Sequence, residues 1–240
     1  MHSTITFSTL ALALSSSVLA APLEVRQDSV TLADTFLFIA KTVGTNPDPA
    51  VFPDINNWFL TPVHSGAGLS LMTLTEPVKS PFLNTSAPGW FRNGTDVDHG
   101  VGGYITAGNS KLGDIDVAWS LVEAMHKDDG DTNPGATIGT LQFNIGTGTS
   151  GLDVSDDGRL ITSRLLTDRL CASPNVPVEG STAMGVVALG KYDSGIKDCW
   201  RIELYAQCTG PIQDSDIAAF PAFVQSPCYL NAASVIGIDY

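Results

Sequence analysis

Apolar and polar positions along the chain alternate with a period of two far more often than they recur at helical spacing. The alternation is strict over Trp200–Cys208, where Trp200, Ile202, Leu204, Ala206 and Cys208 share one face. That pattern predicts a half-buried β-strand. Leu141, Phe143 and Ile145 oppose Thr140, Gln142 and Asn144 in the same way. Phe36-Leu37-Phe38-Ile39-Ala40 and residues 183–189 are apolar on both faces, as central strands are. Residues 58–63 and 69–74 read as further strands. Pro62 places the first of them at an edge or a bulge, because proline has no N–H for a ladder. Residues 151–154 and 159–162 flank Ser155-Asp156-Asp157-Gly158, a hairpin signal.

One segment is ambiguous. Ile115, Val117, Trp119 and Leu121 alternate, yet Ala118, Leu121, Val122 and Met125 stand at helical spacing. Asp114 and Asp116 before them and His126-Lys127 after them also suit a short helix. The surrounding strands tip the reading to strand. With 23 Gly and 14 Pro the chain is expected to be all-β, an antiparallel β-sandwich or jelly roll, with a barrel as the alternative. No fixed-period repeat points to a propeller. The expected organisation is a leader over 1–20, an N-terminal extension over 21–32, a β-domain over 33–209 and an ordered or partly ordered C-terminal tail over 210–240.

The leader is read from Leu10-Ala11-Leu12-Ala13-Leu14, followed by small residues and by Val18-Leu19-Ala20 before Ala21-Pro22. An apolar stretch too short to span a membrane, ending in small residues, is a secretory signal pattern, with cleavage expected after Ala20. Asn84-Thr85-Ser86 and Asn93-Gly94-Thr95 are N-x-S/T acceptors, so glycans are expected on Asn84 and Asn93. The product is therefore expected to be soluble and secreted, extracellular or at the cell wall. A monomer is expected.

Cysteine spacing supports that compartment. Cys171, Cys199, Cys208 and Cys228 contain no C-x-x-C, so disulfides fit better than zinc. Cys199 and Cys208 bracket one predicted strand and lie about 30 Å apart, at ~3.3 Å per residue. A bridge needs Cα atoms within ~7 Å, so these two cannot bond each other. Two arrangements remain. Cys171–Cys199 with Cys208–Cys228 is favoured, since the second bridge would staple the tail carrying Pro211, Pro221 and Pro227 onto the sheet.

Charge excludes one large class of partners. Twelve Lys+Arg face 25 Asp+Glu, for a net charge of −13, so no basic surface exists to neutralise nucleic-acid phosphates. No apolar run reaches the ~18–20 residues of a membrane helix. No G-x-S-x-G elbow, H-E-x-x-H zinc motif or dinucleotide fingerprint occurs, and no cofactor is expected. Asp193-Ser194-Gly195 spells an aspartic-protease triplet, but that site needs two such loops, and here it reads as a turn. Candidate metal ligands are Asp128, Asp129, Asp131 and Asn133, which gather oxygens without EF-hand spacing. Candidate acid–base residues are His64, at the mouth of a Gly-rich turn, with Asp96, Asp98 and His99. Trp58, Trp90 and Tyr104 suit either core packing or stacking on sugar rings.

The segment Thr61-Pro62-Val63-His64-Ser65-Gly66-Ala67-Gly68-Leu69 is similar to a recurring Y-H-x-G-A-G element of an uncharacterised family of small secreted fungal proteins. Phe143-Asn144-Ile145-Gly146, Cys171, and Cys199-Trp200-Arg201-Ile202-Glu203-Leu204 resemble later elements of that pattern, over about 30–209 with gaps. The resemblance implies a bridge between Cys171 and Cys199, and it carries no established activity. This chain departs from it at Leu170-Cys171-Ala172, where an aromatic cluster is usual, and by adding Cys208 and Cys228. Three roles follow as expectations. The first is a non-catalytic protein binding an extracellular ligand such as a glycan or cell-wall polymer. The second is a secreted hydrolase with its cleft near His64 and the 96–99 loop. The third is an acidic effector directed at another protein.

Overall fold

The computed structural model describes residues 29–66, 69–77, 89–95, 104–112, 115–127, 137–146, 148–149, 151–162, 170–174, 184–189, 199–211 and 223–236. Its strands are β1 (Val30–Ala33), β2 (Phe36–Thr42), β3 (Phe59–Gly66), β4 (Leu69–Thr75), β5 (Phe91–Asn93), β6 (Tyr104–Leu112) and β7 (Ile115–Lys127). They continue as β8 (Thr137–Ile145), β9 (Leu152–Val154), β10 (Leu160–Thr162), β11 (Leu170–Ser173) and β12 (Met184–Leu189). The last are β13 (Trp200–Cys208), β14 (Phe223–Val224) and β15 (Ser226–Tyr229), before one short helix, α1 (Ala233–Ile236). The all-β, antiparallel class expected from the alternation is the class observed, in a barrel-like sheet.

The pairings show how the sheet closes. β2 lies against β13 from Phe36↔Cys208 to Thr42↔Ile202. On its other side β2 meets β3 at Ile39↔Phe59, and β3 pairs with β4. β4 meets β12, β12 pairs with β11, and β11 returns to β13. The ladder of backbone hydrogen bonds thus runs round to its starting strand, which removes free edges over this part of the fold. From β4 and β12 the sheet continues through β8, β7, β6 and β5. The segment 115–127 is a strand, as its alternation suggested, and its long ladder with β8 over Trp119–Lys127 outweighs any helical spacing. Pro62 pairs with Met72 of β4 and lies beyond the single β2–β3 pairing at Phe59, so toward β2 the strand is an edge at this position.

The interior follows from the same periodicity. Phe36, Phe38 and Ala40 of β2 and Trp200, Ile202, Leu204 and Ala206 of β13 point into one large cluster with Leu74, Leu141, Phe143 and Trp90. Trp90 is 4% exposed and meets Phe143 edge to face at 5.2 Å between ring centroids. Core packing, not sugar stacking, is its role. Trp58 is half-buried against the same cluster. The opposite face of β2 and β13 is also covered: Ile39 and Tyr205 pack with Tyr229, Ala232, Val235 and Ile236 in a second, smaller cluster. This explains why β2 reads as apolar on both faces.

Both disulfides take the favoured arrangement, Cys171–Cys199 and Cys208–Cys228, with Cα atoms 5.5 and 5.2 Å apart. They are the chemistry of an oxidising compartment. No helix among the described residues is long and apolar enough to cross a membrane. The second bridge fastens the tail. Beyond Cys208, Thr209 N–H donates to Thr35 C=O at 3.0 Å, and the Thr35 hydroxyl donates to Gly210 C=O at 2.5 Å. One extended stretch, 223–229, then pairs with β5 through β14 and with β1 and β13 through β15. β1, Val30–Ala33, spans the end of the expected extension over 21–32 and the first residue of the expected β-domain, and is paired along its length with β15.

Arg92 of β5 secures the point where that stretch changes partners. Its guanidinium forks onto Asp153 of β9 at 2.7 and 2.9 Å, and its Nη1 donates to Gln225 C=O at 3.1 Å. The two side chains of the ion pair are only 13% and 14% exposed, so losing either one strands a charge in a poorly solvated place. Arg92→Ala is expected to cost about 3 kcal/mol in urea unfolding, with Arg92→Lys recovering only part because an ammonium cannot reproduce the two-pronged geometry. Equal stability of Arg92→Ala and the parent would remove this pair from the account of the fold.

Candidate functional site

The hairpin of β9 and β10 turns through Ser155-Asp156-Asp157-Gly158, as its residues predicted, and pairs Val154↔Leu160 through Leu152↔Thr162. Gly158 holds a φ of +72°, which glycine adopts without strain. Its C=O accepts from Ala206 N–H at 2.7 Å, and Arg159 forms a bridge with Tyr205, so the turn is docked across β13. A Cβ on Gly158 would stand 2.9 Å from Cε2 of Tyr229. The turn therefore fits under that ring because position 158 has no side chain.

This docking gathers charged and aromatic groups from distant parts of the chain. A concavity of about 580 Å³ is lined by Lys41, Thr42, Asp157, Arg159, Glu203 and Tyr205, with Tyr229 and Val235 at one side. Arg159 reaches Asp157 at 2.6 Å and Glu203 at 3.3 Å. The Tyr205 hydroxyl donates to the second oxygen of Glu203 at 2.8 Å. The Tyr229 hydroxyl donates to Asp157 C=O at 3.0 Å. Lys41 Nζ stands 6.0 Å from the centre of the Tyr205 ring, within reach of a cation–π attraction. Two cations and two carboxylates leave the rim electrically balanced on a strongly acidic chain.

Each perturbed group in the site is driven away from neutrality. Partial burial pushes Asp157 up, but the Ser155 hydroxyl and the Arg159 charge outweigh it, and its carboxyl ends below its ordinary value. Burial opposes the charge on Arg159, yet Asp157 and Glu203 hold the guanidinium above its ordinary range. Burial, reinforced by the hydrogen bond to Glu203, pushes the Tyr205 phenol upward. Among these groups none is brought toward the pH where a proton shuttle works best. The arrangement offers fixed donors and fixed acceptors.

Of the residues expected to carry acid–base or metal chemistry, His64 falls among the described residues. His64 is in β3, its backbone opposite Ser70, with a register shift between His64 and Gly66 before the hairpin to β4. Asp96, Asp98 and His99 lie outside the described residues, as do Asp128, Asp129, Asp131, Asn133, Asn84 and Asp193. Asn93 ends β5, half-buried between Tyr104 of β6 and Phe223 of β14 in the ladder. Among the described residues no group of His, Cys, Asp or Glu is placed to hold a metal. The site itself was missed because its signal is weak. Glu203 and Tyr205 sit on the non-core face of a strand read for its core face, and Asp157 sits in a turn read as a turn.

A second concavity, of about 620 Å³, opens between Leu32, Arg92, Phe223 and Gln225. Its cation is already committed to Asp153 and the Gln225 carbonyl, so it offers a ligand less than the first. A family model described as a domain of unknown function (DUF7907) matches residues 36–208. No curated protein and no solved structure matches the chain.

Two outcomes follow from the turn. Gly158→Ala is expected to destabilise the fold by about 1–2 kcal/mol from the left-handed backbone alone, and further through the Tyr229 contact, read as a lowered urea midpoint. Asp157 gives up its proton more readily in the folded chain than at its ordinary value of 3.8, so it favours the fold above that pH and ceases to as the pH falls through its lowered value. In Asp157→Asn the acid limb of stability below about pH 4 should flatten. An unchanged acid limb would count against the Arg159–Asp157 pair; the effect is small in either case because both side chains are largely solvated, 42% and 50% exposed.

Proposed function

We propose a role from one premise, that the chain belongs to the DUF7907 family, a domain of unknown function: it is a secreted, non-catalytic protein that binds a neutral, polyhydroxylated ligand outside the cell. A glycan or a polymer of the cell wall is the class of ligand meant. The leader pattern over 1–20, the acceptors at Asn84 and Asn93 and the two disulfides support export as a glycoprotein.

The observation that carries the reading is the concavity over β13. Guanidinium, carboxylates and phenols face one space, hydrogen-bonded to one another and held in fixed orientations. Sugars present rows of hydroxyls that both donate and accept, and a balanced rim of this kind meets them without a net charge to repel or attract. Catalysis is less well supported, since the shifts at Asp157, Arg159 and Tyr205 move away from neutral pH.

Retention on immobilised β-1,3-glucan, chitin and mannan tests this. The parent protein is expected to bind at least one of them, and Glu203→Gln and Arg159→Ala to weaken that binding about tenfold or more while far-UV circular dichroism stays unchanged. Moderate salt should change retention little, because a neutral ligand releases no counterions. Failure to retain any of the polymers, or binding untouched by both substitutions, would overturn the proposal.

A further inference from the structure

We infer that residues 229–236 form a specificity-determining wall of the concavity over β13, a clasp that lies beyond the span matched by the family model. The inference rests on that concavity being a ligand site. Lys41, Thr42, Asp157, Arg159, Glu203 and Tyr205 all lie within the matched span 36–208, whereas Tyr229 and Val235 lie beyond it. Floor and wall thus have different origins in the chain. Cys208, the last residue of the matched span, is the one that bonds Cys228, next to Tyr229.

Tyr229 is fixed from three directions. Its hydroxyl donates to Asp157 C=O at 3.0 Å. Its ring edge lies over Gly158, where a Cβ would be 2.9 Å from Cε2. Its ring stands 6.0 Å from that of Tyr205 at a tilt of 58°. Behind it Ala232, Val235 and Ile236 rest on Ile39 and Tyr205, in a cluster separate from the main core. A small cluster on the outer face of a sheet opens at lower cost than the sheet itself, because its opening exposes little of the main core. The wall is therefore a local unit whose position depends on the Cys208–Cys228 bridge and the Tyr229 hydroxyl. Tyr229 and Val235 line the concavity although they are only 8% and 7% exposed, so the position of this segment sets how much room a ligand has there.

The test compares the full chain with Cys208→Ser/Cys228→Ser and with Tyr229→Phe, by amide hydrogen exchange and by retention on immobilised β-1,3-glucan, chitin and mannan. The double variant is expected to exchange about 100-fold faster in peptides covering 226–236, since it loses a cross-link closing a loop of separation 20. Peptides from β3–β4 and β11–β12 should hold their protection. Tyr229→Phe, which keeps the bridge and loses one hydrogen bond, should exchange about fivefold faster in the same segment. Both variants should change which polymer is preferred among the three. Exchange that rises equally across all strands, or a polymer preference unaltered by a loosened segment, overturns the clasp. If the parent retains none of the polymers, the binding proposal falls on its own, and exchange confined to 226–236 in Tyr229→Phe or its absence decides whether the clasp exists.

Discussion

Strand β13 joins the two hydrophobic layers of this fold. Its even-numbered side chains, Trp200, Ile202, Leu204 and Ala206, enter the main core, while Tyr205 on the other face anchors a second hydrophobic layer. Its backbone pairs with β2 along seven successive positions, with β11 at its start, and with β15 near its end. A disulfide leaves from each end, at Cys199 and at Cys208. A strand buried along one face, partly covered on the other and tethered at both ends frays with difficulty, so burial and covalent constraint act together. The closed ring of strands passes through it, and so does the floor of the concavity.

The electrostatics of that floor follow from its position. Glu203 is on the outer face of β13, where the docked turn brings Arg159 and Asp157 within reach and the tail covers Tyr205. Partly screened ion pairs such as Arg159–Asp157 contribute little to stability, because solvent competes for both partners. Their consequence is orientation. Arg159 and Asp157 hold each other in one orientation, and each keeps its charge across the physiological range.

The tail ties together parts of the sheet that its ladder leaves apart. Residues 223–229 join β5 to β1 and β13, with Arg92 holding the carbonyl at the crossing. An additional bridge, between Phe36 and Trp90, brings the start of β2 to the same region. Covering edges in this way removes unpaired backbone groups that would otherwise invite other strands. It also makes the outer wall of the concavity from chain lying past residue 208.

The class of fold is legible in the sequence, because alternation along Trp200–Cys208 and doubly apolar runs such as Phe36-Leu37-Phe38-Ile39-Ala40 are local properties that a strand must have. The hairpin at Ser155-Asp156-Asp157-Gly158 was legible for the same reason, as turn chemistry needs only adjacent residues. Distance along a strand excluded Cys199–Cys208, and the favoured pairing then proved correct. Ring closure through β11 was not legible, since a four-residue strand carries no partner preference. Nor was the concavity, whose residues come from positions 41, 157–159, 203–205 and 229–235. Local pattern records how each segment meets water and core; which segments meet one another depends on closing long loops between positions such as 41, 157 and 203, and that is decided only when the whole sheet assembles.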